Sequence, residues 1–194
     1  MFGHHGRRAI ADASTSFEYA IFDPAKAGAG VVFSNDDRTV YCPSSSRALS
    51  NIGKLSGQWY VELASSGSHH FIGASIHSGP WNEAMGNDFG ISVGMYSYQG
   101  RRCYSKSITF YYWGSAATHA LILDADNRTV RLWHPTEGWK SAQSPLNGAG
   151  EIFVAVGGGV GYTRTFTLNA GQEPFSYPYG EPPQGVNHGL HKIL

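Results

Sequence analysis

An all-β fold, a β-sandwich or a barrel, follows from three features of the 194-residue sequence. From Phe17 onward apolar residues alternate with polar ones in short runs, clusters of Gly, Asp, Asn, Ser and Pro separate those runs, and no long segment carries an apolar stripe at helical spacing. The 25 glycines suit frequent tight turns, whose positive φ angles other residues resist.

Residues 1–16 stand apart in composition. Ile10, Ala13 and Phe17 hint at helical spacing but are too few to hold a helix alone. The segment reads as an N-terminal arm, either a disordered terminus or a piece that docks on a neighbouring subunit, with Arg7, Arg8 and Ile10 as its assembly residues. In "GQWYVEL" (57–63) Trp59, Val61 and Leu63 share one face while Tyr60 and Glu62 take the other, the pattern of a half-buried strand. In "TVRLWH" Val130 and Leu132 oppose Thr129, Arg131 and Trp133. "HALIL" (119–123) and "IFVAV" (152–156) are apolar on both faces and predict strands covered on two sides. Turn clusters fall between: "DPAKAGAG" (23–30), "SNDD" (34–37), "SSGS" (65–68), "HSGP" (77–80), "DADN" (124–127), "PTEG" (135–138) and "NGAG" (147–150). The Pro- and Gly-rich tail from Pro178 is expected to run over the surface to a last hydrophobic anchor. No repeat of fixed period is present, which argues against propellers and solenoids.

Composition narrows the function. Fourteen basic and 14 acidic residues leave no net charge, so the chain lacks the electrostatic footprint of a nucleic-acid or anionic-membrane binder. No apolar run is long enough to span a bilayer, and the start lacks the apolar core of a secretory signal. Cys42 and Cys103 fit no metal or redox spacing and read as packing residues.

Taken in order, "SGQWYVEL" (56–63), "FIGASI" (71–76), "YSYQGRRCY" (96–104), "LILDADNRTVRLWHPTEGW" (121–139), "IFVAVGGGVG" (152–161) and "TLNAGQEPFSYPY" (167–179) resemble a SPRY domain over residues 17–190, leaving 191–194 as a C-terminal tail. The resemblance implies a bent two-sheet antiparallel sandwich of the concanavalin A-like, jelly-roll class that binds rather than catalyses. The lead-in "FDPAKAGAGVVFSNDDRTV" (22–40) is similar to that of phage and prophage SPRY-like proteins. That likeness implies a virion structural protein (capsid decoration, fibre or tail component), assembled in the host cytoplasm as a homo-oligomer. Its expected partners are other virion proteins, a host-surface protein or a glycan. A stand-alone peptide-binding adaptor and a glycan-binding adhesion protein are the alternatives. In the family a strand ends at Asn-Phe-Gly-Gln and the chain turns back with a Pro-Phe pair; here Ala170 stands at the Phe position. Asn169 and Gly171 are expected to take unusual backbone angles there, with Phe175 packed beneath.

Catalytic constellations are weak. Asp124 and Asp126 could share a strand face, but "DADNRT" reads as a hairpin turn and lacks the pattern of jelly-roll glycosidases or of a calcium loop. His69 and His70 are adjacent and point to opposite faces of a strand, and His188 and His191 sit in a Gly-containing tail, so neither pair predicts a metal site. No nucleophile elbow occurs, and "GGGVG" (157–161) lacks the Lys and helix of a phosphate loop and reads as a loop at a sandwich end. No enzymatic activity, cofactor or metal is therefore expected.

What remains is a set of large amphipathic side chains in expected loops: Trp81, Met85, Tyr98, Arg101, Tyr104, Tyr112, Trp113, Trp139 and Tyr162. SPRY domains that grip peptides use loops at one edge of the sandwich. By alignment Trp81 and Met85 fall there, with Gly158, Gly159 and Tyr162 opposite, and with Arg101 and Tyr104 these are the candidate partner-binding residues.

Overall fold

The computed structural model describes residues 16–67, 70–76, 92–98, 101–104, 118–134, 138–141, 145–178 and 181–193. Arg7, Arg8, Ile10, Trp81, Met85, Tyr112 and Trp113 lie outside the described residues. Every regular element among the described residues is a strand. In chain order they are β1 (Phe17–Tyr19), β2 (Phe22–Ala27), β3 (Val32–Ser34), β4 (Thr39–Cys42), β5 (Arg47–Lys54), β6 (Gln58–Ser65), β7 (His70–Ile76) and β8 (Ser92–Tyr98). There follow β9 (Arg101–Tyr104), β10 (Thr118–Asp124), β11 (Thr129–His134), β12 (Gly138–Ser141), β13 (Ile152–Gly158), β14 (Arg164–Asn169), β15 (Asn187–His188) and β16 (His191–Ile193).

Two sheets form the sandwich. One runs β12-β11-β10-β6-β14-β4-β3 with β15 added in parallel beside β6, and the other runs β2-β5-β13-β7-β8-β9. The alternation of the sequence decides which side chains meet between them. From β6, Val61 and Leu63 enter the inter-sheet core; from β10, Leu121 and Leu123; from β13, Ile152, Val154 and Val156; from β7, Ile72 and Ala74. Burial of each Val, Leu or Ile contributes about 1.5–3 kcal/mol, so this layer dominates the stability. The strands expected to be covered on both faces are: every residue of β13 is buried, and Ala120 and Ile122 on the outer side of β10 belong to a second apolar cluster.

That second cluster lies on the outer face of the larger sheet. Tyr60, Ala120, Ile122 and Val186 form it, with Trp133, Trp139, Phe175 and Tyr177 packed against them. Trp139 is therefore a strand residue of β12 rather than a loop residue, its ring 5.6 Å from Trp133 and 6.2 Å from Tyr60. Tyr98, Arg101 and Tyr104 likewise fall in strands, β8 and β9.

The turn at "DADNRT" is the expected hairpin, joining β10 to β11. Asp124 accepts hydrogen bonds from the Asn127 backbone N–H and from its Nδ2, and Arg128 takes φ 53°. At "LNAGQEPFSY" the geometry differs in one respect from expectation. Gly171 has φ 113°, but Asn169 acts through its side chain: Oδ1 accepts from Gly171 N and Glu173 N. Phe175 packs edge-on to Tyr60 at 5.0 Å, as expected. His191–Ile193, at the end of the chain, pair with β1 in a two-stranded ribbon.

Candidate functional site

Strand register sorts the candidate residues between the two ends of the sandwich. Gly158 pairs with His70 and Ile152 with Ile76, so β7 and β13 run in opposite directions across the same sheet. The segment that carries Trp81 and Met85 leaves β7 at Ile76 and re-enters β8 at Ser92, which pairs with Ser75. Those points of departure and return stand six and five residue steps, or about 17–20 Å, from Gly158. Arg101 pairs with Tyr98 next to the Ser97–His70 pair and so shares the Gly158 end, whereas Tyr104 pairs with Gly94 in mid-sheet. The structure thus brings Gly158, Gly159, Tyr162 and the backbone of Arg101 to one end, with Tyr104 farther along.

At that end the backbone is tightly held. Gly158 bridges Ser44, its N–H donates to Ser46 O at 3.1 Å, and Gly161 N donates to Ser44 Oγ at 2.7 Å. A Cβ on Gly158 would meet Pro43 O at 2.6 Å, Tyr162 O at 2.7 Å and Cys42 O at 3.0 Å, so only glycine permits this approach. Tyr162 N closes the turn onto Gly159 O. On the frame so fixed, Val160 is 69% and Tyr162 39% exposed, and the Arg164 guanidinium lies 5.2 Å from the Tyr162 ring centre.

Beneath the loop is a polar cluster. Ser65 Oγ is hydrogen-bonded to His119 Nε2 at 3.0 Å and lies 3.4 Å from His70 Nε2, while His70 Nδ1 bonds Gly67 O. The two imidazoles are 5.2 Å apart and His70 meets Phe166 edge-on. Burial pushes the His119 pKa down to about 4, so the ring is neutral at pH 7. The Ser65–His119 bond has the form of a nucleophile and base, but both imidazoles are buried. His70 joins the cluster to the loop through its backbone pairing with Gly158. Cys42, buried at the same end, has its thiol pushed up to about 12 by desolvation and is unreactive.

Sequence alone did not reveal Val160, Arg164 or the Ser65–His70–His119 cluster. Ser65 and His70 are five positions apart, but only the β6–β10 pairing brings His119, opposite Leu63, into reach.

Comparison by sequence finds no matching family model and no matching curated protein. Comparison by structure does find neighbours. The TRIM65 PSpry domain superposes with a TM-score of 0.61 at 16% identity, over 78% of this chain and 92% of that one. The fold is that of the SPRY domains. The SPRY domain of human HERC1 gives 0.60 at 17% identity, over 79% of this chain and 99% of that one. Stonustoxin gives 0.58 at 16% identity over 78% of this chain, which spans only 27% of the toxin's length. In the strap that follows β14, Ala170, at the position where the resemblance expects Phe, is fully buried, and Phe175 and Tyr177 close over Tyr60.

Proposed function

We propose that the chain is a non-catalytic protein-binding module that recognises its partner with the loop end built from Ser44 and Gly158–Tyr162, flanked by β9 at Arg101. The observation that carries this reading is the display of Val160 and Tyr162 on a backbone locked by the Gly158 approach and the Ser44 hydrogen bond. A loop fixed in advance loses little entropy on binding, and an exposed Tyr beside an Arg is the composition of an interface hot spot. Similarity to the TRIM65 and HERC1 domains supports it, because recognition of protein partners is the general use of the SPRY fold. Within this reading we place the protein in a phage particle, as a decoration, fibre or tail subunit. That placement is supported by the lead-in at residues 22–40. A stand-alone peptide-binding adaptor fits the same fold equally well.

The test is a random-peptide display screen on the immobilised full chain, run beside a Val160→Asp/Tyr162→Ala double variant. Peptides that bind the parent and lose at least about ten-fold affinity for the variant, at unchanged melting temperature, support the loop end. Peptides indifferent to the variant would move recognition elsewhere. Sizing of the native material with mass spectrometry of co-purifying chains separates a particle subunit from a monomeric adaptor.

A further inference from the structure

The other end of the sandwich holds a groove that the proposed recognition loop does not touch. Its volume is about 520 Å³, and Tyr19, Gln172, Glu173, Phe175, Tyr177 and His188 line it. Its two walls are tied together. Gln172 Oε1 accepts from Ala170 N while its Nε2 donates to Ala20 O, next to Tyr19, and the Tyr19 ring packs on Gly171. The Tyr177 hydroxyl is hydrogen-bonded to His188 Nδ1 at 2.8 Å.

The groove is aromatic and carries an excess of negative charge. Glu173 Oε1 accepts from Arg38 Nη1 at 3.1 Å, yet its side chain is 65% exposed. Glu62 lies buried under the strap, where it accepts from Ser176 and Tyr177. Glu181 is exposed and acts electrostatically on Tyr177, whose phenol is pushed above its usual range by burial first, then by Glu181 and Glu62. Glu173, paired with Arg38, thus lines the groove, and Glu62 and Glu181 add their charge at Tyr177 in its wall. Ring faces next to surplus carboxylate favour a cationic side chain, and a guanidinium above all.

The chain itself supplies such groups close by. Residues 1–15 hold Arg7 and Arg8 against a single acid, Asp12, and they join the fold at Ser16, three residues before Tyr19 in the groove wall. Arg8 is eleven positions from Tyr19, a reach of at most about 36–40 Å. A tether this short gives an effective concentration on the order of millimolar, enough to fill a weak site. We propose that this groove is the docking site of the chain's own residues 1–15, with the guanidinium of Arg7 or Arg8 seated among the Tyr19, Phe175 and Tyr177 rings and facing Glu173 and Glu181.

The test uses the full chain. A nitroxide is placed at position 9 by Ala9→Cys in a Cys103→Ser background, Cys42 being buried and unreactive. Amide signals of Gln172, Tyr177 and His188 are then recorded by NMR. Docking within one chain predicts that these signals lose most of their intensity, that dilution leaves the loss unchanged, and that Arg7→Gln/Arg8→Gln or Glu173→Gln/Glu181→Gln restores it. Absence of broadening, or broadening indifferent to both charge variants, overturns the proposal. Broadening that persists when isotope-labelled, spin-free chains are mixed with unlabelled, spin-labelled ones assigns the groove to a second copy's arm and overturns docking within the chain. If the Cys103→Ser background melts early, chemical-shift differences between the parent chain and the Arg7→Gln/Arg8→Gln variant at the same three residues decide instead.

Discussion

At the Gly158 end of the sandwich the main chain closes on itself, and around the strap and the β1–β16 ribbon side chains do the closing. Around Gly158 three carbonyl oxygens crowd the space a Cβ would need, and the side chains of Val160 and Tyr162 stand exposed on the loop so formed. At the other end the strap from Pro174 to Tyr177 is held by Glu62, which accepts from Tyr60 Oη, Ser176 N and Oγ, and Tyr177 N. The ribbon there sets His191 among Phe17, Tyr19 and Trp59 and places the Lys54 ammonium 3.7 Å from the centre of a Trp59 ring. The contrast explains where sequence can vary. An end fixed by backbone leaves its side chains available for recognition, whereas an end fixed by side chains commits them to structure.

The largest effect should therefore come from the side-chain end. Glu62→Ala leaves the buried Tyr60 hydroxyl and three strap donors without their acceptor, a loss of about 3 kcal/mol or more. Chemical denaturation should show it as a lowered midpoint, and Glu62→Gln, which keeps an acceptor, should recover part of it. Next in size is a pH effect at the backbone end. The His119 pKa is near 4 when folded against 6.5 unfolded, so between those values the unfolded state binds more protons. The stability is complete above pH 6.5 and falls away as the pH drops to 4, a total of about 3 kcal/mol at the limit. Urea melts from pH 7 to 4.5 should show the decline, and His119→Asn should flatten it.

The period-two pattern made the inner core legible: the assignment of Val61 and Leu63 to one face of β6 and Tyr60 and Glu62 to the other holds in the structure. What alternation could not show is that the outward face would itself be covered. A Glu on the outer side of a strand reads as solvated, and Glu62 becomes a buried acceptor only because residues more than 110 positions later fold over it. The candidate site was legible in part for the same reason. "GGGVG" announced a loop at a sandwich end, but which other loops share that end depends on register, and the β7–β13 pairing sets the strand ends flanking Trp81 and Met85 opposite Gly158. His188 and His191 carry no motif in the sequence, and the structure gives them a tyrosine hydroxyl and an aromatic box.

The smaller effects sharpen the same contrast at the recognition end. Gly158→Ala forces a methyl against backbone oxygens that cannot swing aside, and overpacking of this kind costs about 2 kcal/mol. Tyr162→Ala, four positions on, removes a partly exposed ring whose neighbour is the Arg164 guanidinium, and its stability should stay within about 0.5 kcal/mol of the parent. Calorimetry of the two variants side by side checks the division of labour. If Tyr162→Ala proves as costly as Gly158→Ala, the ring is holding the loop, and the loop end is then architecture like the strap. If it is silent in stability but abolishes peptide binding, the exposed ring serves the partner alone, because the loop beneath it was already fixed by glycine and Ser44.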